Sequence, residues 1–180
     1  GEDGDDTLYG GDSNDYLYGG NGDDHLHGGT GLDILTGGAG SDTYYFNIGD
    51  GEKRIVDFIE AGEVNKVVFG AGIFTNDLLI SQIQETDLMV EITVQSTGDK
   101  VRILDWNNEN GFPINQFEFV EAGQSLTVEE ANNMFRYQYG TESGETLIGK
   151  TLDDVIYGYG GNDFIRTAEG DDALYGGDGN

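Results

Sequence analysis

Residues 1–45 repeat one nine-residue pattern five times. Each unit reads G-G-x-G-x-D-x-U-x, where U is a large apolar residue. The second and fourth positions are glycine in four of the five units, and the sixth is aspartate in all five. The units begin at Gly1, Gly10, Gly19, Gly28 and Gly37, their sixth residues are Asp6, Asp15, Asp24, Asp33 and Asp42, and their eighth residues are Leu8, Leu17, Leu26, Leu35 and Tyr44.

Each unit can form one tight turn and one short strand. The glycine-rich residues suit the turn, because glycine adopts backbone angles that other residues avoid. The remaining x-U-x triplet suits a strand whose U side chain faces inward and whose neighbours face outward. A fixed period of this kind predicts that successive units stack into a flat solenoid.

Stacking would align the sixth-position aspartates in columns of like charge. One buried apolar side chain per unit offsets neither that repulsion nor the entropy lost in ordering a glycine-rich turn. A divalent cation would offset both, because it draws carboxylates together and binds turn carbonyls. Calcium accepts six to eight oxygen ligands in flexible geometry, whereas magnesium requires a strict octahedron. We therefore expect several calcium ions, whose binding would be coupled to folding.

The composition agrees with a cation-binding role. The chain has 35 acidic and 8 basic residues, for a formal net charge of −27. Such a charge disfavours nucleic acid and anionic membrane surfaces as partners. Cysteine is absent from the sequence, and no apolar run approaches the ~20 residues of a membrane span. Because the final residues GGDGN are only the first part of a nine-residue unit, we expect the chain to be part of a larger parent protein.

The period returns in a weaker form near the C-terminus. Its units begin at Gly140, Gly149, Gly158 and Thr167, and Gly176 opens a fifth. Their sixth residues are Glu145, Asp154, Asp163 and Asp172, and their eighth residues are Leu147, Ile156, Ile165 and Leu174. The lost glycines and the longer glutamate predict weaker or partly filled sites.

These units resemble the glycine-rich nonapeptides of RTX proteins, the calcium-binding repeats of bacterial proteins exported by type I secretion. The resemblance implies a parallel β-roll in which alternate turns lie on opposite edges. It also implies that each calcium ion lies between turns i and i+2. The first turn would provide its aspartate and the carbonyls of positions two and four. The second turn would provide its aspartate and the carbonyls of positions one and three.

In the first block the resemblance implies three sites and a loosely defined last turn. The three sites combine Glu2, Gly4 and Asp6 with Gly19, Asn21 and Asp24; Gly11, Ser13 and Asp15 with Gly28, Thr30 and Asp33; and Gly20, Gly22 and Asp24 with Gly37, Ala39 and Asp42. Gly29 and Gly31 are further candidate carbonyl ligands. For the last turn two alternatives stay open: Asp50 within it, or Asp57 folding back onto it.

In the second block the same rule implies two sites. They combine Thr141, Ser143 and Glu145 with Gly158, Gly160 and Asp163, and Lys150, Leu152 and Asp154 with Thr167, Glu169 and Asp172. Gly161 is a further candidate, in a unit whose partner aspartate would follow the last residue of the chain.

Between the blocks the period is absent. Alternating apolar runs such as RIVDFIE and KVRILDW predict strands, and TVEEANNMF predicts a short helix with Thr127 and Glu130 as its capping box. The stretches FNIGDGEKRIVDF, VVFGAGIFTNDL and INQFEFVEAGQSLT resemble the hemolysin-type calcium-binding-related domain. Lys53 replaces the aspartate that is common at its position in that family. Trp106 is expected to pack in the core or at a sheet edge.

The predicted fold class is all-β. Parallel β-roll blocks at residues 1–46 and 139–180 would flank a mostly antiparallel β domain with one short helix at residues 47–138.

Two other patterns suggest different chemistry, and we expect neither to be functional. GETLIGKT at residues 144–151 matches the phosphate-loop pattern, but no helical pattern follows it and the nine-residue register already explains its glycines. His25 and His27 are the two histidines of the sequence. They flank the inward Leu26 and should lie on the surface, where they would not form a nucleophilic triad. We therefore expect no enzymatic activity.

The expected function is that of a calcium-binding module of a secreted bacterial RTX protein, such as a toxin. It would fold on binding extracellular calcium and support type I secretion, which makes its expected location extracellular. One alternative is a calcium-stabilised adhesion module that binds a glycan or a host protein, through the outward-facing Tyr9, Tyr16, Tyr18 and Tyr45 or the middle domain. Another is a non-catalytic C-terminal region of a secreted enzyme.

Overall fold

The structure, a computed structural model, describes residues 1–85, 87–104, 113–127, 130, 137–149, 154–167 and 171–179. They form two compact units, Gly1–Val128 and Glu129–Asn180. The first unit contains β1 (Thr7–Asp12), β2 (Tyr16–Asn21), β3 (His25–Ala39), β4 (Thr43–Phe46), β5 (Gly51–Ile55), β6 (Lys66–Phe69), a 3₁₀ turn (Thr75–Asp77), β7 (Leu78–Glu85), β8 (Asp87–Val94), β9 (Lys100–Ile103), β10 (Gln116–Phe119) and β11 (Gln124–Thr127). The predicted all-β class is confirmed.

Strands β1–β4 form the predicted parallel roll. Leu8 of β1 pairs with Leu26 of β3, and Leu17 of β2 pairs with Leu35 of β3, so each unit pairs with the unit 18 residues later. Strand β3 spans two units: its first half pairs with β1 and β4, and its second half pairs with β2 and β5. Alternate units therefore lie in two separate ladders, which creates two edges of stacked turns.

The interior of the roll consists of eighth-position side chains. Leu17, Leu26, Leu35 and Tyr44 are buried, and the outward neighbours of these positions, such as Tyr16, are exposed. This alternation follows from the two-residue period of a strand. The turns require left-handed backbone angles; Ser13 adopts one with φ of 84°, at a position where most units have glycine.

The middle segment extends the roll and then departs from it. Strands β5 and β6 continue the parallel ladders of β3 and β4, and β9 and β10 add one further parallel strand to each. Strands β7 and β8 then pair antiparallel beside β9, and β11 pairs antiparallel with β10. The buried side chains of Phe46, Phe69 and Phe119 pack together, with Phe69 ring centroids 6.0 Å and 5.0 Å from the other two.

The second unit repeats the 18-residue pairing. Its strands are β12 (Tyr137–Tyr139), β13 (Thr146–Ile148), β14 (Val155–Tyr157), β15 (Phe164–Arg166) and β16 (Ala173–Tyr175). Strands β12, β14 and β16 form one parallel ladder, and β13 and β15 form another. The predicted β-roll is therefore present at both ends of the chain, and Ile156 is fully buried in the second one.

Some predictions fall outside the described residues. These are Trp106 and most of the helix predicted at residues 127–135. The division of the chain into residues 1–46, 47–138 and 139–180 remains a prediction, although strands from both sides of residue 46 pair within one sheet. Within the part of the chain that the structure describes, no helix has the length and apolar character needed to cross a membrane.

Candidate metal centre

The sixth-position aspartates form a hydrogen-bonded column along each edge of the first roll. On one edge, the Asp6 backbone N–H donates to Asp24 Oδ1 at 2.8 Å, and the Asp24 N–H donates to Asp42 Oδ1 at 2.9 Å. On the other edge, the Asp15 N–H donates to Asp33 Oδ1 at 2.9 Å. One oxygen of each accepting carboxylate is therefore used to hold two turns in register.

The second carboxylate oxygen lacks such a partner. The Oδ2 atoms of Asp15, Asp24, Asp33 and Asp42 are buried and accept no hydrogen bond. The Asp33 oxygen instead lies 3.0 Å from Lys53 Nζ, as an ion pair. A buried carboxylate oxygen without a partner is costly, and proteins normally satisfy it with a donor or a cation. These oxygens thus indicate cation sites along the edges.

Glycine at position one lies close both to these oxygens and to a carbonyl oxygen of the next turn on the same edge. A methyl group added to Gly10 would lie 2.5 Å from the Gly28 carbonyl oxygen and 2.9 Å from Asp15 Oδ2. One added to Gly19 would lie against Asp24 Oδ2 and 2.6 Å from the Gly37 carbonyl oxygen. A methyl group added to Gly1 would likewise lie against Asp6 Oδ2 and the Gly19 carbonyl oxygen. Each pairing belongs to one of the three sites predicted for this block: Asp6 with Gly19, Asp15 with Gly28, and Asp24 with Gly37.

Other predicted carbonyl ligands also face the next turn of their edge. The carbonyl oxygens of Glu2, Gly4, Gly11, Ser13, Gly20 and Gly22 approach Gly20, Gly22, Gly29, Gly31, Gly38 and Gly40 respectively. Some of the carbonyl oxygens predicted as ligands already accept a backbone hydrogen bond. Asn21 N–H donates to the Glu2 carbonyl at 2.9 Å, and the Asn21 and Ala39 carbonyls accept from Gly4 and Gly22. A carbonyl oxygen has two lone pairs, so each retains one for a cation. Thr30 lies in β3, where its hydroxyl donates to Asp12.

The comparison with known protein families agrees with this geometry. The RTX calcium-binding nonapeptide repeat matches the chain in four copies, over residues 1–26, 18–51 and 139–174. The chain is an RTX repeat protein. No curated protein is similar enough to count as a match. Residues 52–138 lie outside the family match, so the resemblance of the middle segment to the hemolysin-type domain remains a prediction.

RTX repeats bind calcium, and the chain is therefore a calcium-binding module of an RTX protein. Among the described residues, no three acidic or histidine side chains converge on one point. A calcium site in these turns would thus combine two carboxylates with backbone carbonyls. Calcium suits such a donor set, because it takes six to eight oxygens in flexible geometry.

The two candidate residues of the last RTX turn have different surroundings. Asp50 accepts a hydrogen bond from the backbone N–H of Asn47 at 2.7 Å, so its carboxylate caps its own turn. Asp57 folds back onto the turn that begins at Gly37: its Oδ1 accepts from the Gly38 N–H at 3.1 Å, and its Oδ2 accepts from the Tyr44 hydroxyl.

Asn65 continues the Asp6 edge of this RTX roll beyond the repeats, at a position that the nine-residue period does not predict. Its Oδ1 accepts from the Asp42 N–H at 2.8 Å, as each earlier aspartate accepts from the unit below, and its Nδ2 donates to Asp57 Oδ2 at 2.9 Å. Burial and the nearby charge of Asp57 raise the pKa of Asp42 to about 7. Burial also raises the pKa of Asp57 to about 6, although hydrogen bonds from Tyr44 and Gly38 oppose the shift.

The C-terminal RTX block repeats these features in part. The Glu145 N–H donates to Asp163 Oδ1 at 3.0 Å, and the Asp154 N–H donates to Asp172 Oδ1 at 2.9 Å. Asp163 Oδ2 is buried and accepts no hydrogen bond. Beside Gly140, an added methyl group would lie 2.5 Å from the Gly158 carbonyl oxygen and 2.9 Å from Glu145 Oε2. Glu145 and Gly158, two predicted ligands of one site, are therefore brought together.

The remaining candidates of this block are described only in part. The Ser143 carbonyl oxygen approaches Gly161, and Gly160 forms an isolated parallel bridge with Asp178. The backbone N–H and the hydroxyl of Thr141 both donate to the Glu145 carboxylate. The Thr167 side chain approaches Gly149 beside Asp154 Oδ2. The predicted ligands Lys150, Leu152 and Glu169 lie outside the described residues.

The raised pKa values of Asp42 and Asp57 predict that the metal-free roll is stabilised by acid. Both carboxyls would have a pKa near 4 in the unfolded chain, so the folded state binds more protons between about pH 4 and pH 7. Their contribution is therefore fully present below about pH 4 and is lost as the pH rises through the folded values. In EDTA, the residual strand signal measured by circular dichroism should therefore increase from about pH 7.5 to about pH 5.5.

Asp42→Asn provides the control for this pH dependence, because it removes the group with the higher pKa and keeps the Oδ1 acceptor. The variant should show a smaller rise in strand signal on acidification. An equal rise in both proteins would assign the effect to the overall negative charge instead.

The histidines lie on the outer face of the RTX roll, as predicted. The His27 ring stacks between Tyr9 and Tyr45, with centroid distances of 4.6 Å and 4.0 Å, and His25 Nδ1 lies 2.9 Å from the Tyr45 hydroxyl. Burial lowers the pKa of His27. Within the phosphate-loop pattern, residues 146–148 form β13, which pairs with β15, and residues 150 and 151 lie outside the described residues.

Proposed function

We propose that this module folds when it binds extracellular calcium, and that it thereby supports type I secretion and the stability of its parent protein outside the cell. The observation that carries the proposal is the row of buried, unpaired Oδ2 atoms on Asp15, Asp24 and Asp42. A fold that buries three such oxygens is unfavourable until a cation neutralises them. Calcium that binds the folded state and not the unfolded state would shift the equilibrium toward folding.

The net charge of −27 supports the same proposal. Without calcium, repulsion among the acidic side chains favours an expanded chain, which can pass through an export channel. Outside the cell, calcium at about 1 mM is within the range that extracellular calcium modules bind. Because calcium reaches the chain only after export, folding would follow export.

A calcium titration followed by circular dichroism tests the proposal. The purified chain is expected to show little strand signal in EDTA and the full strand signal at about 1 mM calcium. Magnesium at equal concentration should have a much smaller effect, because it retains its water ligands. A compact, protease-resistant roll after exhaustive EDTA treatment would contradict the proposal.

A second candidate function is adhesion through the tyrosines of the first roll. Tyr9, Tyr16 and Tyr18 are 73%, 82% and 59% exposed, which is unusual for large aromatic side chains. Aromatic rings at this density suit a glycan or a host protein. A glycan array in calcium-containing buffer tests this function, and Tyr16→Ser should reduce any signal; an array without signal would count against glycan binding.

We also propose that the module has no catalytic activity of its own. Both histidines of the sequence are engaged with tyrosines on the surface of the roll, and cysteine is absent. The acidic side chains at position six are accounted for by the cation sites. The parent protein could still be an enzyme, with this module as a non-catalytic region.

A further inference from the structure

Lys53 ends the column of aspartates on the second edge of the N-terminal roll. Strand β5 pairs with β3 so that Lys53 lies opposite Asp33 and Arg54 lies opposite Ile34. Ile34 in turn lies opposite Tyr16, the seventh residue of its own unit, so Arg54 is at the seventh position and Lys53 at the sixth. Lys53 therefore occupies the position that the next sixth-position aspartate would take. Its Nζ atom lies 3.0 Å from Asp33 Oδ2.

The Lys53 ammonium has three oxygen neighbours at this position. Besides the Asp33 carboxylate, Nζ donates to the Gly31 carbonyl oxygen at 3.3 Å and to the Asp50 carbonyl oxygen. Two of the three ammonium donors are thus used by carbonyl oxygens, and the Asp33 carboxylate balances the charge. One carboxylate and two turn carbonyls are also the kind of oxygen set that calcium accepts.

The Lys53 side chain also fills the space beside the first glycine of the unit. A methyl group added to Gly28 would lie against Asp33 Oδ2 and 2.7 Å from Lys53 Cε. A methyl group added to Gly10 would instead lie 2.5 Å from the Gly28 carbonyl oxygen, and one added to Gly19 would lie 2.6 Å from the Gly37 carbonyl oxygen. The lysine stem thus lies where a carbonyl oxygen of the next turn lies in the other units.

Both members of the ion pair are removed from solvent. The side chains of Lys53 and Asp33 are 1% and 0% exposed. Full burial of a lysine is uncommon unless its charge is paired. On the opposite edge, Asp42 Oδ2 has no cation beside it, and the column continues to the neutral Asn65. The two edges therefore end differently.

We propose that the Lys53 ammonium replaces a calcium ion at the last position of its edge, so that this column of sites ends in a cation supplied by the protein. The inference rests on the proposed calcium-dependent folding. It predicts that the Asp15–Asp33 edge binds one calcium ion fewer than its number of stacked turns would allow. In the last turn of that edge, Lys53 neutralises Asp33 without a metal ion, whereas Asp42 on the opposite edge has, among the described residues, no lysine beside its Oδ2.

Lys53→Asp tests the replacement directly. The new carboxylate would face Asp33 together with the Gly31 and Asp50 carbonyls, and the folded variant should bind one more calcium ion per chain than the wild type. Equilibrium dialysis with elemental analysis measures that number. Arg54→Asp is the matched control, because Arg54 is the next residue on β5, its side chain is 40% exposed, and the charge change is identical; its ion count should equal that of the wild type.

Lys53→Met provides a second test that does not require a new site. It keeps the length of the stem and removes the charge, which leaves Asp33 buried without its cation. Loss of one partner of a buried ion pair should lower the folding equilibrium constant roughly 100-fold or more. The calcium concentration at half-maximal strand signal should therefore rise, whereas Arg54→Met should leave it unchanged.

The outcomes separate this inference from the proposed function. A wild-type chain whose strand signal ignores calcium would refute the proposed function. A wild type that folds with calcium, together with a folded Lys53→Asp variant that binds the same number of ions, would overturn the replacement by lysine alone. If Lys53→Asp fails to fold at any calcium concentration, Lys53→Met decides: a raised midpoint supports the inference, and an unchanged midpoint overturns it.

Discussion

Replacing Asp24 by asparagine should remove two calcium ions from the N-terminal roll. Asp24 lies in the middle of its column: its Oδ1 accepts from Asp6, and its own N–H donates to Asp42. Its Oδ2 is buried, unpaired and close to Gly19. The RTX pattern assigns this carboxylate to the sites below and above it, so both should lose a charged ligand.

The expected loss of stability at saturating calcium is large. One site stabilises the folded state by about 2.7 kcal/mol when free calcium is about 100 times its Kd, so two sites contribute about 5 kcal/mol. Thermal unfolding in calcium measures the loss, and elemental analysis counts the ions. Asp23→Asn is the matched control, because the exposed Asp23 carries the same charge and its Oδ1, which accepts from Ser41, is kept in asparagine.

Without calcium, the same Asp24→Asn change should act in the opposite direction. It removes a buried charge that has no cation beside it, and any residual roll in EDTA should become more stable. A variant that is destabilised equally in EDTA and in calcium would show that Asp24 acts only through its hydrogen bonds.

Gly19→Ala should abolish calcium binding between the turns that begin at Gly19 and Gly37. The added methyl group would lie against Asp24 Oδ2 and 2.6 Å from the Gly37 carbonyl oxygen, and would push apart two oxygens proposed to bind the same ion. The φ angle of Gly19 is not left-handed, so alanine meets a steric obstacle and not a backbone one. The ion count should fall by at least one, and the calcium midpoint of folding should rise.

Gly4→Ala separates steric exclusion from backbone strain. Gly4 has φ of 104°, and nothing lies within 4 Å of an added methyl group. Alanine there should cost about 1–2 kcal/mol through the left-handed conformation and leave the ion count unchanged. Equal ion counts in Gly19→Ala and wild type would contradict the assignment of Asp24 Oδ2 and the Gly37 carbonyl oxygen to one ion.

The nine-residue period predicted the roll well, because it specifies both turns and strands. Leu26 is buried and Tyr16 is exposed, as the position of each within its unit requires. The same period predicted which aspartates would stack, since units that share an edge are 18 residues apart. Repetition made these predictions reliable: each unit faces the same physical environment as the unit two places away.

Where the period ends, the partners could not be predicted. Asp42 bonds to Asn65, 23 residues later, and Gly31 pairs with Gly51, 20 residues later, so no constant offset identifies them. The middle strands extend the roll in parallel before their antiparallel pairing begins, because β5 and β6 meet ladder edges left open by β3 and β4. A sequence pattern describes the faces of a strand, and its partner depends on which edge is free.

The hydrogen bonds along each edge join units that are 18 residues apart, so odd-numbered and even-numbered units lie on different edges. Deleting Gly10–Tyr18 would transfer the first unit to the other edge, so that Asp6 would stack with Asp33 and Lys53 rather than with Asp24 and Asp42. Deleting two consecutive units would leave every remaining one on its original side. Wherever a fixed end such as Lys53 follows the repeats, arrays of this kind should lengthen and shorten in pairs.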